Sequence, residues 1–193
     1  MGAAPPLEVV LREAKQLGFL GPGPVEGHLT HAEGFSGAVT TAPSRFLDLG
    51  SGGGVPGLIL AVAWPTSEAV LLDASVRRTA FLRRAVITLG LQARVEVRTA
   101  RAEQAGHDPS LRERFDVVTA RSFGPPAWTA ECGAAFLRLH GLLLVSDPPS
   151  GEERWPGPTL AALGLRDGGC SGAIRRLVQT APYPADRPRR RPS

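Results

Sequence analysis

Four of the five residues from 50 to 54 are glycine, inside the segment FLDLGSGGGVPGL that runs from 46 to 58. Gly50, Gly52, Gly53 and Gly54 follow directly on strand-forming residues, and a helix is expected to open at Pro56–Gly57, where proline suits the first turn. Glycines at such a junction permit positive φ and let a ligand approach the backbone closely. The helix N-terminus beyond them offers unpaired N–H groups to negative charge. Two carboxylates frame the loop: Asp48 at the end of the strand before it, and Asp73 at the end of the next apolar run.

Two ligand classes fit this arrangement. Gly52, Gly54 and Gly57 satisfy G-x-G-x-x-G, with Asp73 about 20 residues further on, as in dinucleotide-binding folds. Asp48, Gly50, Gly52 and Gly54 satisfy D-x-G-x-G-x-G, the pattern of S-adenosylmethionine methyltransferases. The second reading is favoured because a carboxylate at Asp48 can face a cationic amino group but repels a pyrophosphate. Pro56 also delays the helix and widens the loop. Asp73 can accept two ribose hydroxyls under either reading.

The elements that must position these groups are legible as an apolar rhythm. Strands are expected at RFLDLG (45–50), EAVLLDA (68–74), ARVEVRT (93–99), FDVVTA (115–120), GLLLVSD (141–147) and AIRRLVQT (173–180). Helices are expected at PGLILAVAW (56–64), SVRRTAFLRRAVITLG (75–90, Ser75 as N-cap, Gly90 as stop), PPAWTAECGAAFLRL (125–139) and TLAALG (159–164). Strands alternating with helices imply an α/β fold with a doubly wound, mostly parallel sheet, whose ligands sit at the carboxyl ends of the strands. Residues 1–44 read as a helical N-terminal extension: Leu7, Val10, Leu11, Ala14 and Leu17 recur at helical spacing before Gly18, GFLGPGPVEG is a loop, and His28–Val39 forms a further short helix. Residues 45–180 form the main domain, and PYPADRPRRRPS (182–193), lacking apolar periodicity, makes 181–193 a basic, disordered tail.

With these residues in view, the chain resembles the ribosomal RNA small-subunit methyltransferase G family, also called glucose-inhibited division protein B. The resemblance spans about residues 45–149 and is carried by LDLGSGGGVPG (47–57), LLDASVRRTAFLR (71–83), RTARAEQ (98–104), FDVVTARSFGPP (115–126) and LLLVSDPP (142–149). Its more specific marks are Gly52, Gly54, Pro56 and Gly57 closing the loop, Arg78 ahead of Phe81–Leu82, and Arg121 directly after the fourth strand. The resemblance implies a Rossmann-like class I methyltransferase that moves methyl from S-adenosylmethionine to guanine N7 in 16S rRNA of the small ribosomal subunit. It implies cofactor contacts from Asp48, Gly50, Ser51, Gly52, Gly54 and Asp73, places Ala102 and Glu103 beside the adenine, and sets Arg121 at the mouth of the site, catalytic and touching cofactor. The family's Trp-Asn-Lys stretch before the glycine loop is missing, and Ser146-Asp147-Pro148-Pro149 stands where a Lys-Gly pair is usual.

Guanine N7 has a free lone pair and no proton to lose, so attack there needs in-line geometry and charge control rather than a general base. Arg121 can supply a hydrogen bond to the guanine edge, clamp a phosphate, grip the cofactor carboxylate, or form a surface salt bridge with Glu131 or Asp116. Asp147-Pro148-Pro149-Ser150 resembles the Asp-Pro-Pro-aromatic motif of amino-group methyltransferases, but it follows the fifth strand and Ser150 cannot stack. Trp155 is the aromatic best placed to stack on a base, while Trp64, Trp128 and Cys132 read as core. Arg77, Arg78, Arg83 and Arg84 form either a solvated helix face or an RNA-facing stripe.

Composition narrows the classes without choosing among them. The chain has 193 residues, 42% hydrophobic and 21% charged, enough for one cored domain. No apolar run approaches a membrane span, and MGAAPPLEVV carries no basic-then-apolar signal. Two cysteines point to a reducing cytoplasm, and His28, His31, His107 and His140 show no metal-ligand spacing. The net charge is +4, most of it from Arg187, Arg189, Arg190 and Arg191 at the C-terminal end. Charge alone therefore does not mark an RNA-binding face on the domain. A small-molecule methyltransferase, an NAD-dependent oxidoreductase and a catalytically silent cofactor- or RNA-binding protein remain as alternatives.

Overall fold

The computed structural model describes residues 6–147 and 154–189. Two helices, α1 (Pro6–Gln16) and α2 (Val25–Gly37), lead into a run of alternating elements: β1 (Arg45–Leu49), α3 (Gly57–Ala63), β2 (Glu68–Asp73), α4 (Val76–Thr88), β3 (Val95–Thr99), α5 (Ala102–Ala105) and β4 (Phe115–Ala120). The chain continues through α6 (Pro126–Ala134), β5 (Leu137–Ser146), α7 (Gly157–Ala161) and a closing hairpin of β6 (Leu165–Ser171) and β7 (Ile174–Gln179). The seven strands form one sheet in the order β3-β2-β1-β4-β5-β7-β6, parallel from β3 to β5 and antiparallel at β7.

The central strands β1, β2 and β4 are apolar on both sides because both sides are covered. Phe46, Ala69 and Leu71 join a core with Leu58 and Leu60 of α3, Phe81 and Leu82 of α4, Val10 of α1 and Phe35 of α2. Leu47, Leu49, Val70 and Leu72 point the other way, into a core with Ala130 and Cys132 of α6 and Leu160 of α7. The two N-terminal helices thus share a core with the sheet. Successive crossovers run outward from β1 to β2 and β3, then restart on its other side with β4 and β5. The order reverses between β1 and β4, and a crevice opens there beyond their carboxyl ends.

Local signals place several boundaries. Ser75 caps α4, its Oγ accepting from the Arg78 N–H at 3.4 Å, and Gly18 and Gly90 take φ of +71° and +67° just past α1 and α4. Three expectations need correction. The helix expected over 125–139 ends at Ala134, because the backbone carbonyl of Phe136 takes the N–H groups of Arg114 and Phe115 and Leu137 pairs with Phe115 in the sheet. Strand β6 was not expected: it is an edge strand, mostly polar, with an irregularity between Asp167 and Cys170 where Gly169 has φ of +80°.

The third correction concerns the expected disordered tail. Residues 181–189 lie against α6: Tyr183 is buried with its hydroxyl donating to the Glu131 carbonyl at 2.7 Å, and Arg187 and Arg189 both reach the Glu131 carboxylate. A lone buried tyrosine and a buried acid on another element hold this segment, and neither leaves a periodic trace in sequence. Arg190 and Arg191 lie outside the described residues.

Candidate functional site at the glycine loop

The loop between β1 and α3 is wound so that its own polar groups meet inside the protein. The N–H groups of Gly50 and Ser51 both donate to the Leu72 carbonyl, at 2.8 and 3.0 Å, tying the loop to the end of β2. The Gly54 N–H donates to Ser51 O at 2.7 Å, and the Gly52 N–H to Asp73 Oδ2 at 2.9 Å. Gly50, with φ of +72°, lies where a Cβ would come within 2.7 Å of the Phe123 ring. At Gly57 the reason is contact alone: a Cβ would stand 2.5 Å from Asp48 Oδ2. That glycine lets the start of α3 approach the acid, and its N–H donates to Asp48 Oδ2 at 3.2 Å.

Asp48 is 1% exposed, and its two oxygens face Thr119 Oγ1 at 2.7 Å and the Gly57 N–H. The expectation that this carboxylate turns outward, toward a cationic ligand group, is therefore corrected: both oxygens are held by donors of the protein itself, across the β1–β4 junction. Burial pushes its pKa up to about 6, against hydrogen bonds from Thr119, Ser51 and Gly57 that favour the anion. Asp73 is similarly engaged, Oδ1 accepting from the Ser75 N–H at 2.8 Å and Oδ2 from Gly52, with Arg78 at 3.7 Å.

Above the loop lies a cavity of about 340 Å³ lined by Gly50–Gly53, Val55, Arg78, Arg121 and Ser122, and by Gly18–Gly21 from the N-terminal region. A second cavity of about 350 Å³ sits at the amino ends of the strands, near Arg45, Glu68 and Arg94. Ligands of such sheets bind at the carboxyl ends, so the glycine-loop cavity is the candidate site. It brings together Gly50, Ser51, Gly52 and Arg121 of the expected residues. Asp73 adjoins it through Gly52 and Arg78. Gly54, Ala102 and Glu103 do not line it; the last two are buried at the start of α5, after β3.

Sequence reasoning missed the N-terminal wall. Phe19 and Leu20 overlie the loop so closely that a Cβ on Gly53 would meet Leu20 at 2.6 Å and the Phe19 carbonyl at 2.9 Å. Phe19 is itself packed edge-on to Phe81, with Arg77 over its ring. The available signal was GFLGPGPVEG, a loop with two apolar residues that needed somewhere to go. His28 was also missed. Its Nδ1 lies 2.9 Å from Arg121 Nη2. Arg121 does not pair with Glu131 or Asp116, since the first holds Arg187 and Arg189 and the second Arg138. Burial pulls the Arg121 pKa below its usual value, with the Asp48 charge opposing.

Other candidates move away from the site. Trp155 is buried and its Nε1 donates to Asp147 Oδ2 at 2.9 Å, so it is not free to stack. Asp147 also takes Arg154 and Arg175, and is not available to hold an amine; Pro148, Pro149 and Ser150 lie outside the described residues. Of the α4 arginines, Arg84 pairs with Glu13 and Arg83 donates to Thr99 Oγ1. Among the described residues no group of three or more His, Cys, Asp or Glu is arranged to hold a metal ion, and no helix is long and apolar enough to cross a membrane.

A family model described as rRNA small subunit methyltransferase G matches residues 25–148. Curated relatives carrying the name "Ribosomal RNA small subunit methyltransferase G" include one from Roseiflexus sp. (strain RS-1), 42% identical over 58% of this chain and 46% of its own. Another, from Moorella thermoacetica, is 38% identical over 56% of this chain and 45% of its own. The chain thus spans less than half the length of these relatives. Among solved structures, an O-methyltransferase from Bacillus cereus in complex with SAH superposes with a TM-score of 0.60 at 19% identity, covering 92% of this chain and 90% of that one. A cofactor-bound protein from MTB, Rv0187, gives 0.65 at 18% identity, covering 94% and 93%. These likenesses show the fold.

Proposed function

This chain belongs to the rRNA small subunit methyltransferase G family, and from that premise we propose that it binds S-adenosylmethionine at the glycine loop and methylates guanine N7 in 16S rRNA. The observation that carries the cofactor reading is the hydrogen bonding of the loop. A pyrophosphate needs free backbone N–H groups, whereas those of Gly50, Ser51, Gly52, Gly54 and Gly57 are all used within the protein. Two carboxylates at the same loop add negative potential. Arg78 and Arg121 also line the cavity, so it offers an acid for hydroxyls and cations for a carboxylate. That mixed pattern suits S-adenosylmethionine, while the N–H groups named are spent and not open to a pyrophosphate.

When bound, S-adenosylmethionine supplies an activated methyl group on a sulfonium centre. On this reading Asp73 accepts the ribose hydroxyls with the lone pairs its backbone partners leave over, and Ala102 and Glu103 border the adenine. Gly50, Gly52 and Gly53, with the small Ser51 between them, give the cavity a loop wall of little side-chain bulk. Asp48 serves from beneath, fixing the loop to β4 and the start of α3. Arg121 faces the cavity with donors suited to the guanine edge. Asp48 and Asp73 are each held by two donors, and a target that needs no deprotonation fits a site built this way.

The full chain, incubated with labelled S-adenosylmethionine and small ribosomal subunits that lack N7-methylguanine, naked rRNA or a small-molecule panel, tests this. Label is expected in 16S rRNA at a guanine made cleavable by reduction and aniline. Label confined to small molecules would overturn the substrate; calorimetric binding of NAD but not S-adenosylmethionine would overturn the cofactor.

A further inference from the structure

The contact between His28 and Arg121 joins residues 93 positions apart and has a defined polarity. A guanidinium only donates hydrogen bonds, so the His28 Nδ1 at 2.9 Å from Arg121 Nη2 must accept. The other ring nitrogen, Nε2, lies 3.3 Å from the Gly21 carbonyl, which only accepts, so Nε2 carries the proton. Both contacts demand the same neutral tautomer. His28 is 3% exposed, and its two partners both line the glycine-loop cavity, Gly21 on the N-terminal wall and Arg121 after β4.

We propose that His28 is a positioning residue, holding the Arg121 guanidinium across the mouth of the cavity, and that it does so only as the neutral, Nε2-protonated imidazole. The inference rests on the reading of this cavity as the methyl-transfer site. Anchoring one nitrogen of Arg121 to α2 limits the rotation of its side chain and leaves its remaining donors for substrate or cofactor. A protonated His28 would turn Nδ1 into a donor and set two cations against each other, releasing the arginine.

The groups facing His28 all resist that protonation. They are Arg121 from the segment after β4 and Lys15 from α1. The pKa of His31, on α2 itself, is held down by burial and then by the Arg121 and His28 charges, and Asp48 acts on Arg121 rather than on the His28 ring. Burial first, then the Arg121 and Lys15 charges, hold the His28 pKa below 6.5, partly offset by the Gly21 bond. The positioned state is therefore complete at neutral pH and is lost only on the acid side.

Two variants and one spectrum separate this role from a structural one. His28→Leu keeps the bulk without the acceptor; His28→Asn puts an amide oxygen where Nδ1 stands and does not titrate. His28→Leu is expected to cut methyl transfer to small ribosomal subunits about tenfold, and His28→Asn to restore most of that loss while removing the acid limb of the pH profile. Equal impairment in both, with the acid limb intact, would overturn the proposal. Nitrogen-15 NMR of imidazole-labelled protein reads the pair without any activity. Expected are an Nε2–H tautomer at neutral pH, titration below 6.5, and a rise in that midpoint in Arg121→Ala. An Nδ1–H tautomer, or a midpoint indifferent to Arg121, overturns the contact. A chain that shows this spectrum but methylates no ribosomal subunit would refute the substrate reading and leave the pair standing.

Discussion

Asp48 shows how a single residue of the loop motif is spent on the protein rather than on the ligand. Its carboxylate is buried and bridges Thr119 on β4 to the first N–H of α3, so it fixes the distance between the two strands that flank the crevice. That role has a measurable cost. The folded pKa, about 6, lies above the ordinary 3.8, so the folded state binds more protons than the unfolded one between those values. Stability therefore falls as pH rises through that window, by up to about 3 kcal/mol at ~1.4 kcal/mol per unit. In Asp48→Asn this contribution is absent. Urea unfolding from pH 4 to 7 should show wild type losing about 2–3 kcal/mol relative to the variant, whatever constant offset the amide introduces. Parallel curves would mean that the carboxylate ionises as easily folded as unfolded.

At the scale of elements, the C-terminal segment against α6 is the feature with most consequence. Glu131 is buried on α6 and accepts from the Arg189 backbone N–H at 2.7 Å, from its Nη2 at 2.8 Å, and from Arg187 at 3.3 Å. Arg112 reinforces the same segment, donating to the carbonyls of Pro184 and Arg187 while lying over the Tyr183 ring. Burial alone would raise the Glu131 pKa, but the Arg189 bonds and the Arg189 and Arg187 charges outweigh it and hold it below 4.5. The pair thus contributes stability above 4.5 that is lost as pH falls through the depressed value. Glu131→Gln should lower the thermal midpoint by about 3 °C at pH 7, and the gap should close toward pH 3. A gap that persists unchanged in acid would show that the carboxylate charge is not what ties the segment down.

For the whole molecule, this docking changes the meaning of the charge balance. The net charge is +4, and four arginines of the last seven residues account for most of it. Arg187 and Arg189 are already committed to Glu131, so they are not a free basic arm for an anionic partner. Deleting 181–193 should therefore act first on the fold. Burial of Tyr183 and its hydrogen bond alone predict a loss of about 3 kcal/mol, visible as a lower unfolding temperature by calorimetry. A truncated chain that melts like the full one would return the segment to the status of a solvated tail. The N-terminal helices are integrated in the same way, sharing a core with α3 and α4 and walling the cavity through Phe19 and Leu20.

What the sequence determined by itself was whatever is written in nearest neighbours and short periods. Runs such as EAVLLD and FDVVTA must be strands covered on both faces, Ser75 and Gly90 bound a helix by local hydrogen bonding and φ, and glycines clustered between a strand and a helix mark the ligand loop. Strand β6 escaped because its glycines and polar side chains carry no period, and its pairing with β7 is what makes it a strand. Only the tertiary structure decided where polar groups find partners far along the chain. Asp48 turns inward because Thr119, 71 residues on, supplies a donor. Arg121 meets His28 rather than Glu131 because α2 packs over the crevice while the C-terminal segment has already claimed that acid. A buried donor or acceptor must be satisfied by whatever the fold brings within about 3 Å, and that identity is a property of packing.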